Sequence, residues 1–115
     1  MFGAPGKRWV LPEELRHLAL SGDTQVVGEL IALFKKDVAA RLQLLREAVL
    51  TGDLATCAAQ GHSIKGSAVQ MGALHLAATC RHMELDAANH VTENLQRLLL
   101  EAEAEFHLLQ TTMQG

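Results

Sequence analysis

The sequence has few aromatic residues, few prolines and no strong excess of one charge. Aromatic residues make up 3% of the 115 positions, tyrosine is absent, and there are two prolines. Hydrophobic residues nevertheless make up 49%, and the chain is rich in leucine, alanine and glutamate, which favour helices. A chain of this length is typical of one domain. The composition therefore predicts a single all-α domain.

Charge and hydropathy exclude several classes of protein. The formal net charge is -3, and the 20% of charged residues are interspersed, without the basic stripe that nucleic-acid binding needs. The longest stretch without a charge, 66–80, is shorter than the roughly 20 apolar residues of a membrane span. The first ten residues contain no apolar run typical of a signal peptide. We therefore expect a cytoplasmic protein that binds neither nucleic acid nor membrane.

Cysteine and histidine are the residues to test for metal binding. Cys57 and Cys80 lack metal-ligand spacing and are predicted to be buried core residues rather than a disulfide. The six histidines are His17, His62, His75, His82, His90 and His107. They contain no i, i+4 pair and one Glu-x-x-His, at Glu14 and His17, where a di-metal bundle needs two. A metal-binding bundle is therefore an alternative that the spacing disfavours, and we predict no metal ligands.

Apolar periodicity and helix-end signals divide the chain into five helices. A short helix is predicted after Pro12, and longer ones over about 24–50, 54–71 and 73–88, with a fifth after Thr92 as a cap. The inner stripe of the second helix is predicted to be Val27, Leu30, Ile31, Phe34, Val38, Leu42, Leu45 and Val49. Four long amphipathic helices with short connections predict an antiparallel up-down-up-down four-helix bundle, and the short first helix would cap one end. Residues 1–10 lack periodicity and are predicted to be a loose N-terminal segment, leaving 11–115 as the domain.

The third predicted helix contains the unusual segment AAQGHSIKGSAVQMGA, residues 58–73. A glycine inside a helix loses about 1 kcal/mol relative to alanine, and Gly61 and Gly66 lie on either side of His62 and Lys65. Helical spacing places Gly61 on the inner face, where the close approach of a neighbouring helix would explain it. Gly66 is predicted to lie on the outer face, directly beside His62.

The outer face of this helix has little side-chain bulk. It is predicted to carry Ala55, Ala58, His62, Lys65, Gly66 and Val69. Such a surface lets the backbone of another protein approach the histidine, and Lys65 would bring a positive charge to a phosphoryl group placed there. By spacing alone, His62 and Lys65 could equally be solvated surface residues. The bare face favours a functional site.

Glu84 is a carboxylate at the border of the apolar stripe of the fourth helix, beside Cys80, Met83 and Ala87. A carboxylate in this position needs a polar partner or access to water at the rim, and both interpretations remain open. If it accepts a hydrogen bond from one imidazole nitrogen of His62, the tautomer is fixed and the other nitrogen is left as a nucleophile.

With these residues in view, the chain resembles the histidine-containing phosphotransfer (HPt) domains of two-component phosphorelays. The resemblance rests on HSIKGSAVQMGA, residues 62–73, and extends over roughly 25–90. It implies that His62 accepts and donates a phosphoryl group, that Lys65 helps to hold it, and that Glu84 occupies the position of the Gln or Glu that hydrogen-bonds the histidine. Ala68 and Gly61 depart mildly from the family pattern, which more often has serine and alanine there.

The resemblance also implies a partner surface and a partner. Gly66 would make room for a response-regulator receiver domain, with Ala58, Ser67 and Val69 around it, and the receiver would supply the phosphorylated aspartate and Mg²⁺. No cofactor is expected on this chain itself. Leu15 and Leu18 could extend the docking patch or pack on the end of the bundle.

Other functions remain to be weighed against this one. The chain has no glycine-rich phosphate loop and no room for an ATP-binding domain, so a kinase activity of its own is not expected. It could be a free-standing carrier, expected to be monomeric, or the end of a hybrid histidine kinase. A protein-binding helical bundle with an inert His62 is the alternative function.

Overall fold

The computed structural model describes residues 9–113, and these form five helices. The helices are α1 (Glu13–Leu20), α2 (Thr24–Thr51), α3 (Leu54–Gln70), α4 (Leu74–Ala88) and α5 (Leu95–Thr112). Most of the predicted loose segment, 1–10, lies outside the described residues. None of the helices in the described part of the chain is both long and apolar enough to span a bilayer.

Helices α2 to α5 form the predicted antiparallel four-helix bundle. The connections between α2 and α3 and between α3 and α4 are two and three residues long, which makes consecutive helices antiparallel neighbours. Helix α3 packs against α2 and α4, α4 packs against α5, and contacts between α2 and α5 close the ring. At 28 residues, α2 is the longest helix, and α1 packs along it. The all-α up-down-up-down arrangement predicted from the sequence is confirmed.

The core follows the predicted apolar stripes closely. Both cysteines are fully buried and unpaired, as predicted for core residues. Burial raises the pKa of the Cys80 thiol to about 12, so this thiol stays protonated and unreactive. One assignment in α2 was wrong, because Leu30, predicted to face the core, is 37% exposed. The buried side chains of α2 are Val27, Ile31, Phe34, Val38, Leu42, Leu45 and Ala48.

The helix ends agree with the predicted signals except at the start of α5. Asp53 caps α3 by accepting a hydrogen bond from the Thr56 backbone N–H at 3.1 Å, and Gly52 ends α2 with a φ of 75°. His90 takes a φ of 58° after α4, which agrees with the predicted end of this helix at about residue 88. Helix α5 begins at Leu95 rather than directly after Thr92, because a turn intervenes.

The segment before α1 packs against the turn between α3 and α4. The Trp9 indole N–H donates a hydrogen bond to the Met71 carbonyl at 2.7 Å, which satisfies a carbonyl left free at the end of α3. Leu11, Leu15 and Leu18 are half-buried against the core. Residues 9–20 therefore cover the end of the bundle at which α3 finishes.

Helices α3 and α4 approach each other closely at Gly61. A Cβ atom built on this glycine would lie 3.0 Å from the Cys80 carbonyl oxygen and 3.3 Å from the Glu84 backbone nitrogen. Both are backbone atoms and have little freedom to move. The predicted reason for Gly61, the approach of a neighbouring helix, is confirmed. At Gly66 an added Cβ would meet nothing within 4 Å, so the packing of the bundle does not require this second glycine.

The two glycines should therefore respond in opposite directions to alanine substitution. We expect Gly61→Ala to lower the free energy of unfolding by about 1–2 kcal/mol, because the cost of pushing α3 and α4 apart exceeds the gain in helix propensity. We expect Gly66→Ala to raise it by about 0.5–1 kcal/mol, because only the propensity changes. Urea denaturation followed by circular dichroism measures both, and equal effects of the two substitutions would contradict this account.

Candidate functional site

His62 lies on the outer face of α3, eight residues after the helix begins. Its side chain is 66% exposed, whereas the flanking Gly61 and Ile64 are buried in the bundle. The predicted outward orientation is confirmed. The imidazole is thus accessible to another macromolecule while its backbone is fixed in a rigid helix.

Glu84 connects the imidazole to Lys65. One carboxylate oxygen, Oε2, lies 2.9 Å from Nδ1 of His62, and the other, Oε1, accepts a hydrogen bond from Lys65 Nζ at 3.1 Å. The Glu84 and Lys65 side chains are 22% and 26% exposed. The structure therefore places Glu84 beside His62, and the ion pair with Lys65 is a contact that the sequence analysis missed.

The charge state of Glu84 is set by these contacts. Partial burial of the carboxyl raises its pKa, but the hydrogen bonds and positive charges of Lys65 and His62 outweigh that effect, so the pKa lies below its usual 4.5. Glu84 is therefore an anion at neutral pH. The ionised carboxylate accepts one hydrogen bond from Lys65 and a second one from the imidazole.

The geometry also selects a tautomer of His62. Nδ1 lies 3.4 Å from Lys65 Nζ, which is longer than its 2.9 Å distance to Glu84. Because a carboxylate only accepts hydrogen bonds, the shorter contact requires the ring proton on Nδ1. Nε2 then carries the free lone pair, and within residues 9–113 it has no hydrogen-bond partner. This exposed nitrogen is available as a nucleophile.

The surface around His62 is mostly as open as predicted. Gly66 and Val69 are exposed, and Val69 is 55% exposed. Ser67 is half-buried and faces α2. Ala58 is also half-buried and packs against the core, so it is not fully on the outer face as predicted.

An apolar groove lies beside this face, between α1, α2 and α3. It has a volume of about 650 Å³ and is lined by Leu15, Leu30, Leu33, Phe34, Ser67 and Gln70 among others. Leu33 is 63% exposed, and with Leu30 it forms an apolar surface that the sequence analysis did not identify. Leu15 both packs on the bundle and lines the groove, so its two proposed roles are compatible. Leu18 packs on the core and is not part of the groove lining.

No group of three or more His, Cys, Asp and Glu side chains in the described part of the chain is arranged to hold a metal ion.

The site consists of an exposed imidazole on one helix of a four-helix bundle and a partly buried carboxylate on the next helix that holds it. This arrangement is typical of proteins in which a surface histidine on a helix is the reactive group. The family model of the Hpt domain matches residues 29–112. The chain belongs to the Hpt domain family, the histidine phosphotransfer domains of phosphorelays that act with response-regulator receiver domains.

A solved structure supports the same assignment. The chain is similar to histidine-containing phosphotransfer protein B (HptB) from Pseudomonas aeruginosa PAO1, with a TM-score of 0.79 and 26% sequence identity. The alignment covers 95% of this chain and 91% of HptB. A search of curated proteins found no significant match.

The lowered pKa of Glu84 gives the site a defined response to acid. Because the pKa in the folded protein is below the unfolded value, the stabilisation from ionised Glu84 is complete above about pH 5 and is lost as the pH falls through the folded pKa. We expect carbon-13 NMR of the Glu84 carboxyl to show a midpoint below 4.5, and Lys65→Met to raise this midpoint. A midpoint at or above 4.5 in the wild-type protein would contradict the described contacts.

Proposed function

We propose that His62 is the phosphoacceptor of a phosphorelay carrier, taking a phosphoryl group from a receiver-domain aspartate or a histidine kinase and passing it to a response regulator. One observation carries the proposal. Nδ1 of His62 is held by Glu84 at 2.9 Å, while Nε2 lies on an open helix face. The phosphotransfer role of the Hpt domain family supports it.

The transfer step requires no proton to move on this chain. The Nε2 lone pair attacks phosphorus in line, the N–P bond forms, and the P–O bond of the acyl phosphate breaks as the aspartate carboxylate leaves with the electron pair. The ring keeps its proton on Nδ1 and becomes a phosphorylated imidazolium. Its positive charge is stabilised by the Glu84 carboxylate. The reverse step restores the neutral imidazole, so the same residues serve donation and acceptance.

The remaining site residues have distinct roles in this proposal. Glu84 orients the imidazole and stabilises its positive charge. Lys65 lies near both His62 and Glu84 and donates a hydrogen bond to the Glu84 carboxylate. It also offers a positive charge to the incoming phosphoryl group. In this proposal Mg²⁺ is supplied by the receiver domain rather than by this chain.

The docking surface proposed for the receiver consists of the open face of α3 and the adjoining groove. Gly66 lets the partner backbone approach, and Val69 and Ser67 lie next to it on the two flanks. The exposed leucines of the groove, Leu30 and Leu33, offer apolar area of the kind that protein partners bury. A monomer presents all of this surface.

The proposal is tested by incubating the protein with a phosphorylated receiver domain and Mg²⁺. We expect label on the wild-type protein, lost in acid and retained in base, and a loss of at least about 100-fold in His62→Gln, because no nucleophile replaces Nε2. His82→Gln is the matched control, since it removes an exposed histidine from α4, and it should label normally. Equal labelling of wild type and His62→Gln would contradict the assignment, and no labelling by several receivers would favour an inert helical bundle.

The same assay examines the docking surface. Gly66→Ala, which should fold at least as stably as wild type, is expected to slow transfer from the receiver because the added methyl group lies in the approach path. Labelling by the small donor phosphoramidate should be unchanged in this variant. Unchanged transfer from the receiver would show that Gly66 does not contact the partner.

A further inference from the structure

Lys65 is the cation that the described site offers to a phosphoryl group, and its charge is shared with a carboxylate. Lys65 and Glu84 form an ion pair with an Nζ–Oε1 distance of 3.1 Å, so Glu84 offsets part of the positive charge of Lys65. A phosphoryl group adds a charge of about -1.5 to -2 near neutral pH. Phosphorylated His62 would therefore be stabilised by a further cation within reach of Nε2.

Arg81 on α4 is placed to supply this charge. The contact at Gly61 brings the α4 backbone from Cys80 to Glu84 against α3 at the level of His62. Arg81 precedes Glu84 by three residues, a spacing that puts the two Cβ atoms about 5–6 Å apart on neighbouring positions of the helix surface. Helical rotation from Glu84 to Arg81 leads away from the buried Cys80 and Met83 and toward solvent.

The side chain of Arg81 is also uncommitted. It is exposed, and within residues 9–113 it makes no ion pair or side-chain hydrogen bond. Other arginines near the bundle surface are engaged: Arg41 bonds Asp37 and Gln60, and Arg46 bonds Glu103. Arg81 is the one Lys or Arg within α4.

We propose that Arg81 contacts the phosphoryl group on Nε2 of His62 and stabilises the phosphorylated state. This inference rests on the proposed function, because it requires His62 to be the phosphoacceptor. The guanidinium would donate hydrogen bonds to the phosphoryl oxygens across the seam between α3 and α4, opposite the groove at which the receiver is proposed to dock. It adds Arg81 to Lys65 as a second cation that contacts the phosphoryl group in the proposed function.

The test uses phosphoramidate, which phosphorylates histidine without a partner protein and releases ammonia. Phosphorus-31 NMR then follows the protonation of the phosphoryl group on the full chain. We expect Arg81→Gln to move the titration midpoint to higher pH by a few tenths of a unit, because a nearby cation favours the dianion. Arg81→Lys should restore most of the shift, and Arg97→Gln, an exposed arginine of α5, should leave the midpoint unchanged.

A second measurement separates a phosphoryl contact from a docking contact. At equilibrium with a phosphorylated receiver, the fraction of label on His62 should fall about 2- to 5-fold in Arg81→Gln. An unchanged phosphorus-31 midpoint in Arg81→Gln would overturn the inference, whether or not transfer from the receiver changes. Failure of the proposed function has a different signature, since wild type and His62→Gln would then be labelled equally or not at all.

Discussion

The close contact of α3 with α4 at Gly61 is the constraint on which the functional site depends. An alanine methyl group here would lie 3.0 Å from a backbone oxygen of α4, so any larger residue increases the helix separation. At the present separation the Glu84 carboxylate reaches Nδ1 of His62 at 2.9 Å. Because hydrogen bonds weaken steeply with distance, a site made of one side chain from each helix requires a closely fixed interhelical distance. Gly61 thus lowers the helix propensity of α3 but allows the short interhelical distance that the site requires.

The electrostatics of the site follow from that geometry. Glu84 bonds Lys65 and His62 at the same time, which keeps it ionised although it is partly buried. An ionised Glu84 selects the Nδ1–H tautomer, and in the reaction that we propose it would also counter the positive charge of a phosphorylated ring. On that proposal the exposed Nε2 is the nucleophile of the unphosphorylated protein and carries the phosphoryl group afterwards. Packing within the bundle does not require a glycine at position 66, since an added Cβ would meet nothing within 4 Å, and this is consistent with a role toward a partner.

Much of this arrangement could be predicted from the sequence, because its causes are local or periodic. Helical spacing placed His62 outside, Gly61 inside and Glu84 at the border of a stripe. Three features could not be predicted this way. The Lys65–Glu84 ion pair depends on the separation and rotation of two helices, and the exposure of Leu30 depends on where α1 packs along α2. Helix α5 begins at Leu95 because residues 93–94 form a turn, and the sequence signals for this turn are weak. The sequence analysis therefore took Thr92 as the cap of the helix.

The protonation state of the His62 ring is the measurement that tests this account most directly. Long-range nitrogen-15 and proton correlation spectra of the unphosphorylated protein, recorded where the ring is neutral, distinguish the two tautomers. The account predicts a proton on Nδ1 and a free Nε2, with the preference weakened in Glu84→Ala. A proton on Nε2 in the wild-type protein would contradict it, because the exposed nitrogen would then lack the lone pair that the proposed reaction requires.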